Sequence, residues 1–149
     1  MPTTVRQATT DDIAALVGLL ADDPLGATRE TPDDLRPYQE AFRALADDPR
    51  QYVLVAEDET GIVGTLQLTV VPGLARTAAS RGQIEGVRVR SGGRGAGVGS
   101  VLMRWAIDEA RARGCRLVQL TSDNSRTRAH DFYERLGFTA THVGYKLEL

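Results

Sequence analysis

The residues with the clearest chemical purpose lie between Val87 and Ser100, where VRVRSGGRGAGVGS runs from a β-like segment through glycines into an amphipathic helix. Glycines let a backbone fold closely around a phosphate, and the amides at a helix start then face the anion with no side chain between. Arg94 adds a fixed positive charge at the mouth of the turn, suited to paired contacts with phosphate oxygens. A diphosphate-bearing ligand is expected here. Two other glycine-rich readings fail. A nucleotide P-loop needs lysine followed by Ser or Thr, and the one lysine, Lys146, is far from the glycines. A G-x-G-x-x-G fingerprint begun at Gly95 and Gly97 would need glycine at position 100, which is Ser100. A plain strand-to-helix turn does not explain five glycines within Gly92 to Gly99. Each costs about 0.5–1 kcal/mol relative to alanine wherever the backbone becomes regular.

Arg94-Gly95-Ala96-Gly97-Val98-Gly99 resembles the R/Q-x-x-G-x-G/A signature of GNAT-type N-acetyltransferases, which bind acetyl-CoA. Downstream, Ala129 to Phe138 resembles the second hallmark of that family, a tyrosine, Tyr133, four residues before Gly137-Phe138. In element order the resemblance covers about residues 3–149, with its specific motifs within 84–138. It implies that the amides of Arg94, Gly95, Ala96, Gly97, Val98, Gly99 and Ser100 hold the CoA pyrophosphate. It also implies that the backbone of Val87, Arg88 and Val89 pairs with the pantetheine arm and receives the acetyl carbonyl. A bulge splays two parallel strands there in the family, and Gly86 is compatible with one. The family's asparagine seven residues before the tyrosine is Arg126 here, so Asn124 or Ser125 from the 122–127 loop is the substitute for the cofactor contact.

The implied chemistry is direct acetyl transfer to an amine, without metal or acyl-enzyme. Val89 N–H would polarise the thioester carbonyl. Tyr133, a phenol with an ordinary pKa of about 10, would protonate the departing thiolate. Its rival reading is a core aromatic, since Ala129, Phe132, Tyr133 and Leu136 recur at helical spacing. Glu85 is the candidate base, by likeness to family strands of the form I-E-D/G-V-x-V. Strict strand alternation would place it on the face of Val87 and Val89, where it could instead be a buried, hydrogen-bonded carboxylate. His130 reads as surface and Cys115 as a structural thiol. The expected acceptor is the primary amine of a small molecule or amino sugar. Alternatives are a protein or peptide amine, an aminoglycoside-type substrate, or a non-catalytic acyl-CoA-binding sensor.

The elements that must position these groups follow from periodicity. A strand over 4–8 precedes a helix started by Thr10-Asp11-Asp12, with Ile13, Leu16, Val17 and Leu20 on one face. Pro32 opens a second helix carrying Leu35, Tyr38, Phe42 and Leu45. Segments 52–56 and 62–71 form a hairpin, 72–80 a loop, 84–89 a strand, and 97–113 a helix whose stripe is Val98, Val101, Leu102 and Trp105. A strand over 117–120 and a helix over 127–136 follow, with Gly114 and Gly137 as C-terminal caps and strands at 140–143 and 145–149. The fold class is α/β (α+β): one GNAT-like domain over 1–149, with a mixed, mostly antiparallel sheet, splayed central parallel strands and helices on both faces.

Composition agrees with one globular domain of 149 residues, 42% hydrophobic and 26% charged. A net charge of −2 gives no support for nucleic-acid binding. Residues 21–50 carry eight acids against four arginines, and 76–113 eight arginines against three acids. These are either two solvated helix faces, or a basic side for an anionic cofactor opposite an acidic side for a cationic acceptor. With one cysteine and two histidines, no disulfide or metal site is expected. No apolar run reaches the roughly 20 residues of a membrane span, and no signal core is evident, so a cytoplasmic protein is expected. The β-like end, 145–149, suggests a homodimer.

Overall fold

The computed structural model describes residues 2–93 and 96–149. They form two compact units, residues 1–119 and 120–149. The chain opens with β1 (Thr4–Gln7), and Thr9 then caps the next turn: its backbone N–H donates to Asp12 Oδ2 at 2.7 Å. Helix α1 (Ile13–Ala21) buries Ile13, Leu16, Val17 and Leu19. After the one-turn α2 (Gly26–Arg29), α3 runs over Arg36–Ala46, starting later than Pro32 implies. The reason is Pro37. A helix begun at Pro32 would place Pro37 in its interior, where it lacks a donor and collides with the carbonyl four residues back.

Strands β2 (Gln51–Asp58) and β3 (Gly61–Val71) form the expected hairpin. The segment α4 (Ala75–Ala78) is not an ordinary helix. Arg76, Thr77 and Ala78 all have positive φ, and Arg116 holds this left-handed turn by donating to the Arg76 and Thr77 carbonyls at 2.8 and 3.1 Å. Strand β4 (Arg81–Val89), helix α5 (Val98–Ala112) and β5 (Leu117–Leu120) follow. The five-stranded mixed sheet has the order β1-β2-β3-β4-β5, antiparallel except for the β4/β5 pair.

Pleating sends alternate side chains to opposite faces. Gly64, Leu66, Leu68 and Val70 of β3 face α5; a Cβ on Gly64 would lie 2.9 Å from Leu102 Cδ1 and Val98 Cγ1. The opposite face meets α1 and α3 through Ile13, Val17 and Phe42, against which Val53 packs. On α5 the buried stripe is Val98, Leu102, Met103, Ala106 and Ala110, while Val101 and Trp105 are half-buried flanks. Small residues, Ala106 and Ala110, line the C-terminal half of the stripe because the helix lies close to the sheet there: a Cβ on Gly82 would be 3.1 Å from Ala110 Cβ.

The second unit is built on α6 (Thr127–Arg135). The expected strands at 140–143 and 145–149 do not form; residues 138–149 have no helix or strand. A strand needs a ladder partner, and these segments have none among the described residues. Their apolar positions, Val143, Tyr145, Leu147 and Leu149, are exposed instead.

Candidate active site

The centre of the site is an irregularity in β4. Gly64 pairs with Val89 and Thr65 with Arg88, but Gln67 pairs with Glu85. One residue of β3, Leu66, thus faces two of β4, Gly86 and Val87. This is a β-bulge, and Gly86 supplies its left-handed residue with φ +62°. The bulge that Gly86 suggested is present. Its consequence for Glu85 was not legible beforehand. Glu85 lies opposite Gln67 and Val89 opposite Gly64, positions of opposite parity on β3, so the two side chains leave opposite faces of the sheet. The strict alternation that groups Glu85 with Val89 is overturned. Glu85 shares its face with Arg88, opposite Thr65, and is exposed, so the buried-carboxylate reading fails.

Beyond Val89 the chain turns through a short 3-10 segment, Ser91–Gly93, into α5. Arg94 and Gly95, expected to contact pyrophosphate, lie outside the described residues. Gly97 is the N-cap of α5 in the left-handed conformation, φ +84°, and its carbonyl accepts the Val101 N–H at 3.1 Å. The amides of Val98, Gly99 and Ser100 form the first turn and have no acceptor within the helix. Among the described residues, no atom beyond its immediate chain neighbours lies within 4 Å of a Cβ built on Gly97. Ala96 is exposed, and its N–H donates to Gly93 O at 3.2 Å. The donors of a 15-residue helix start thus come after a bulged strand in chain order, an arrangement that fits a diphosphate ahead of an extended, amide-bearing arm.

Glu85, Val87, Arg88, Val89, Ala96, Gly97, Val98, Gly99 and Ser100 belong to the first unit; Tyr133 and Asn124 belong to the second. Within the latter, Tyr133 is placed by a helix cap. Gly137 N–H donates to Glu134 O and Phe138 N–H to Tyr133 O, at 3.0 and 3.1 Å, the paired bonds of a Schellman motif. That motif sets the Phe138 ring 6.0 Å from the Tyr133 ring, with Phe132 at 5.2 Å on another side. The Tyr-x-x-x-Gly-Phe spacing therefore has a local structural cause, and Tyr133 is half-buried. Asn124 is exposed in the turn ahead of α6, where Ser125 N–H and Oγ both donate to Asp123 Oδ1. His130 Nε2 lies 2.9 Å from the Asp123 carbonyl and ties the helix to that turn.

Two groups escaped the sequence reading. Asp23 Oδ2 lies 2.8 Å from Arg88 Nε, and both side chains are largely buried. Among the described residues, Ser122 Oγ is buried without a hydrogen-bond partner. Neither carries a motif, and Asp23 meets its partner only across 65 residues of chain. Cys115, half-buried, follows the Gly114 cap of α5, and burial pushes its thiol pKa up. A protonated thiol agrees with a structural role. Among the described residues, no group of three His, Cys, Asp or Glu could hold a metal ion, and no helix is long and apolar enough to cross a membrane.

The sequence profile of the Acetyltransferase (GNAT) family matches residues 14–138. An aminoalkylphosphonate N-acetyltransferase of Salmonella typhimurium is 30% identical over 141 residues, covering 95% of this chain and 88% of that protein. A glucosamine 6-phosphate N-acetyltransferase of Trypanosoma brucei brucei is 36% identical over 88 residues, 59% of this chain and 58% of that protein. The crystal structure of a transcriptional regulator from Bacillus halodurans C-125 matches with a TM-score of 0.96 at 43% identity, covering 99% of this chain and 100% of the other.

Proposed function

The chain belongs to the GNAT family of acetyl-CoA-dependent N-acetyltransferases, and on that premise we propose that it moves an acetyl group directly from acetyl-CoA to the primary amine of a small molecule. The observation that carries the reading is the bulge at Gly86–Val87, followed in sequence by the first-turn amides of α5, which have no acceptor within the helix. The α5 start, with Arg94 and Gly95, holds the pyrophosphate. Val87, Arg88 and Val89 present main-chain groups to the pantetheine arm. The family match from 14 to 138 crosses the boundary between the two units, which supports their acting as one N-acetyltransferase domain.

The reaction balances without a further reagent. The neutral amine nitrogen attacks the thioester carbon while Val89 N–H stabilises the oxygen as it gains charge. The carbon–nitrogen bond forms, the carbon–sulfur bond breaks, and Tyr133 gives the thiolate its proton. Glu85 removes the proton that the acceptor sheds; its exposure lets that proton pass to bulk water. Asn124 is the candidate side-chain contact to the cofactor from the loop before α6.

Both relatives named for their acceptors act on small amines that also carry a phosphonate or phosphate. This favours a small amine or amino sugar over a protein amine or an aminoglycoside. The Bacillus halodurans regulator favours a second reading, a non-catalytic acyl-CoA sensor. One experiment separates them: an amine panel including aminoalkylphosphonates and amino sugar phosphates, with acetyl-CoA, followed by free-thiol release. Release with a subset of amines is expected. Silence across the panel while CoA still binds would leave the sensor.

A further inference from the structure

We propose that Asp23 and Arg88 form a positioning device that aims the bulged peptide of β4 at the acyl cosubstrate. The inference rests on the reading of that strand as the cosubstrate's docking edge. A bulge leaves Gly86 and Val87 opposite a single residue of β3, so the Val87 carbonyl, which begins the peptide to Arg88, is not set by a regular ladder on its bulged side. Arg88 supplies what the ladder does not: its Nη1 donates to the Val87 carbonyl at 2.9 Å. Because a peptide is planar, fixing that carbonyl also fixes the Arg88 N–H on the same plane.

The guanidinium is itself fixed from the other side. Its Nε lies 2.8 Å from Asp23 Oδ2, with the two side chains 15% and 8% exposed. The second oxygen of that carboxylate accepts the Gly26 N–H at 2.5 Å, which ties it to the first residue of α2. Next to it, Asp22 Oδ2 accepts the Ser91 N–H at 3.2 Å, just past the end of β4. The 22–26 connection is thus ion-paired to Arg88 at one point and hydrogen-bonded to Ser91 at another, and Gly26 seats it against α1. A Cβ on Gly26 would fall 1.8 Å from the Leu20 carbonyl oxygen. A planar fork suits this task, since one guanidinium serves a carboxylate and a carbonyl at once.

Lysine distinguishes positioning from simple charge pairing. In Arg88→Lys the ammonium still neutralises Asp23 but, as a point charge, cannot hold both partners in the same geometry. The expected result is a folded protein whose CoA dissociation constant in calorimetry, and whose acetyl-CoA KM, rise about tenfold, the size of one charge-assisted hydrogen bond. The amine KM should stay unchanged. Asp23→Asn keeps an oxygen for Gly26 while removing the charge that steadies Arg88, and the same rise is expected; it serves as the test if Arg88→Lys does not fold. Wild-type CoA affinity and wild-type acetyl-CoA KM in a folded variant overturn the positioning role. No heat from CoA with the wild-type protein overturns the docking edge itself and the inference with it.

Discussion

Tyr133 and Asp12 show how one side chain's surroundings set what it can do. The Schellman cap holds the Tyr133 ring between Phe132 and Phe138. Tyr133→Phe keeps both ring contacts and deletes only the hydroxyl. If that hydroxyl protonates the thiolate, kcat falls roughly 100-fold while CoA affinity in calorimetry is unchanged; wild-type turnover would remove the role. Asp12 is a buried carboxylate that Arg6 meets at 2.8 Å, and the hydrogen bond from Arg6 holds its pKa below the usual carboxylate value. A depressed folded-state pKa means stability that is present above the unfolded pKa of about 3.9 and is lost as pH falls through the folded value. Asp12→Ala should therefore cost about 2 kcal/mol near neutral pH, because Arg6 is partly solvated and Thr9 loses its cap acceptor. Urea titrations at pH 7 and at pH 3 should show that gap narrowing at the lower pH.

Among the elements, β4 and α2 each depend on one glycine for a different reason. At Gly86 there is room for a methyl group, with Leu20 Cδ2 at 3.7 Å, but φ is +62°. Gly86→Ala should cost about 1–2 kcal/mol through backbone strain and weaken CoA binding, as β4 tends to revert to a regular ladder. At Gly26 the difficulty is a carbonyl oxygen 1.8 Å from the added carbon. Gly26→Ala must move α2 off α1 and should lower the melting temperature more than Gly86→Ala. Differential scanning calorimetry of the two variants gives the order, and the reverse order would contradict the geometry.

For the whole molecule, the exposed end of the chain bears on assembly. Val143, Tyr145, Leu147 and Leu149 place large apolar groups in solvent at every second position, the pattern of a strand lacking a sheet. We propose that a second copy of the chain covers them. Light scattering should then report a dimer for the wild-type protein and a monomer for Tyr145→Lys combined with Leu147→Lys. A wild-type monomer would end that proposal.

Much of this was readable from the amino acids alone because the signals are local. The capping glycines 114 and 137, the hairpin at 51–71 and the helix opening after Gly97 each depend on residues a few positions apart. So do the two motifs that place the chain in its family. What depends on distant partners was not readable. Strand alternation predicts the face of Glu85 only if the register is regular, and Leu66 opposite Gly86 and Val87 breaks it. Asp23 has an ordinary acidic neighbourhood in sequence, and only folding brings Arg88 to its carboxylate. The apolar alternation at 143–149 states a capacity for strand formation, but a strand exists only where another backbone completes its hydrogen bonds. Side-chain type and short spacing thus decided most elements and the family, while pairing with distant backbone decided whether the last strands form and which way each group points.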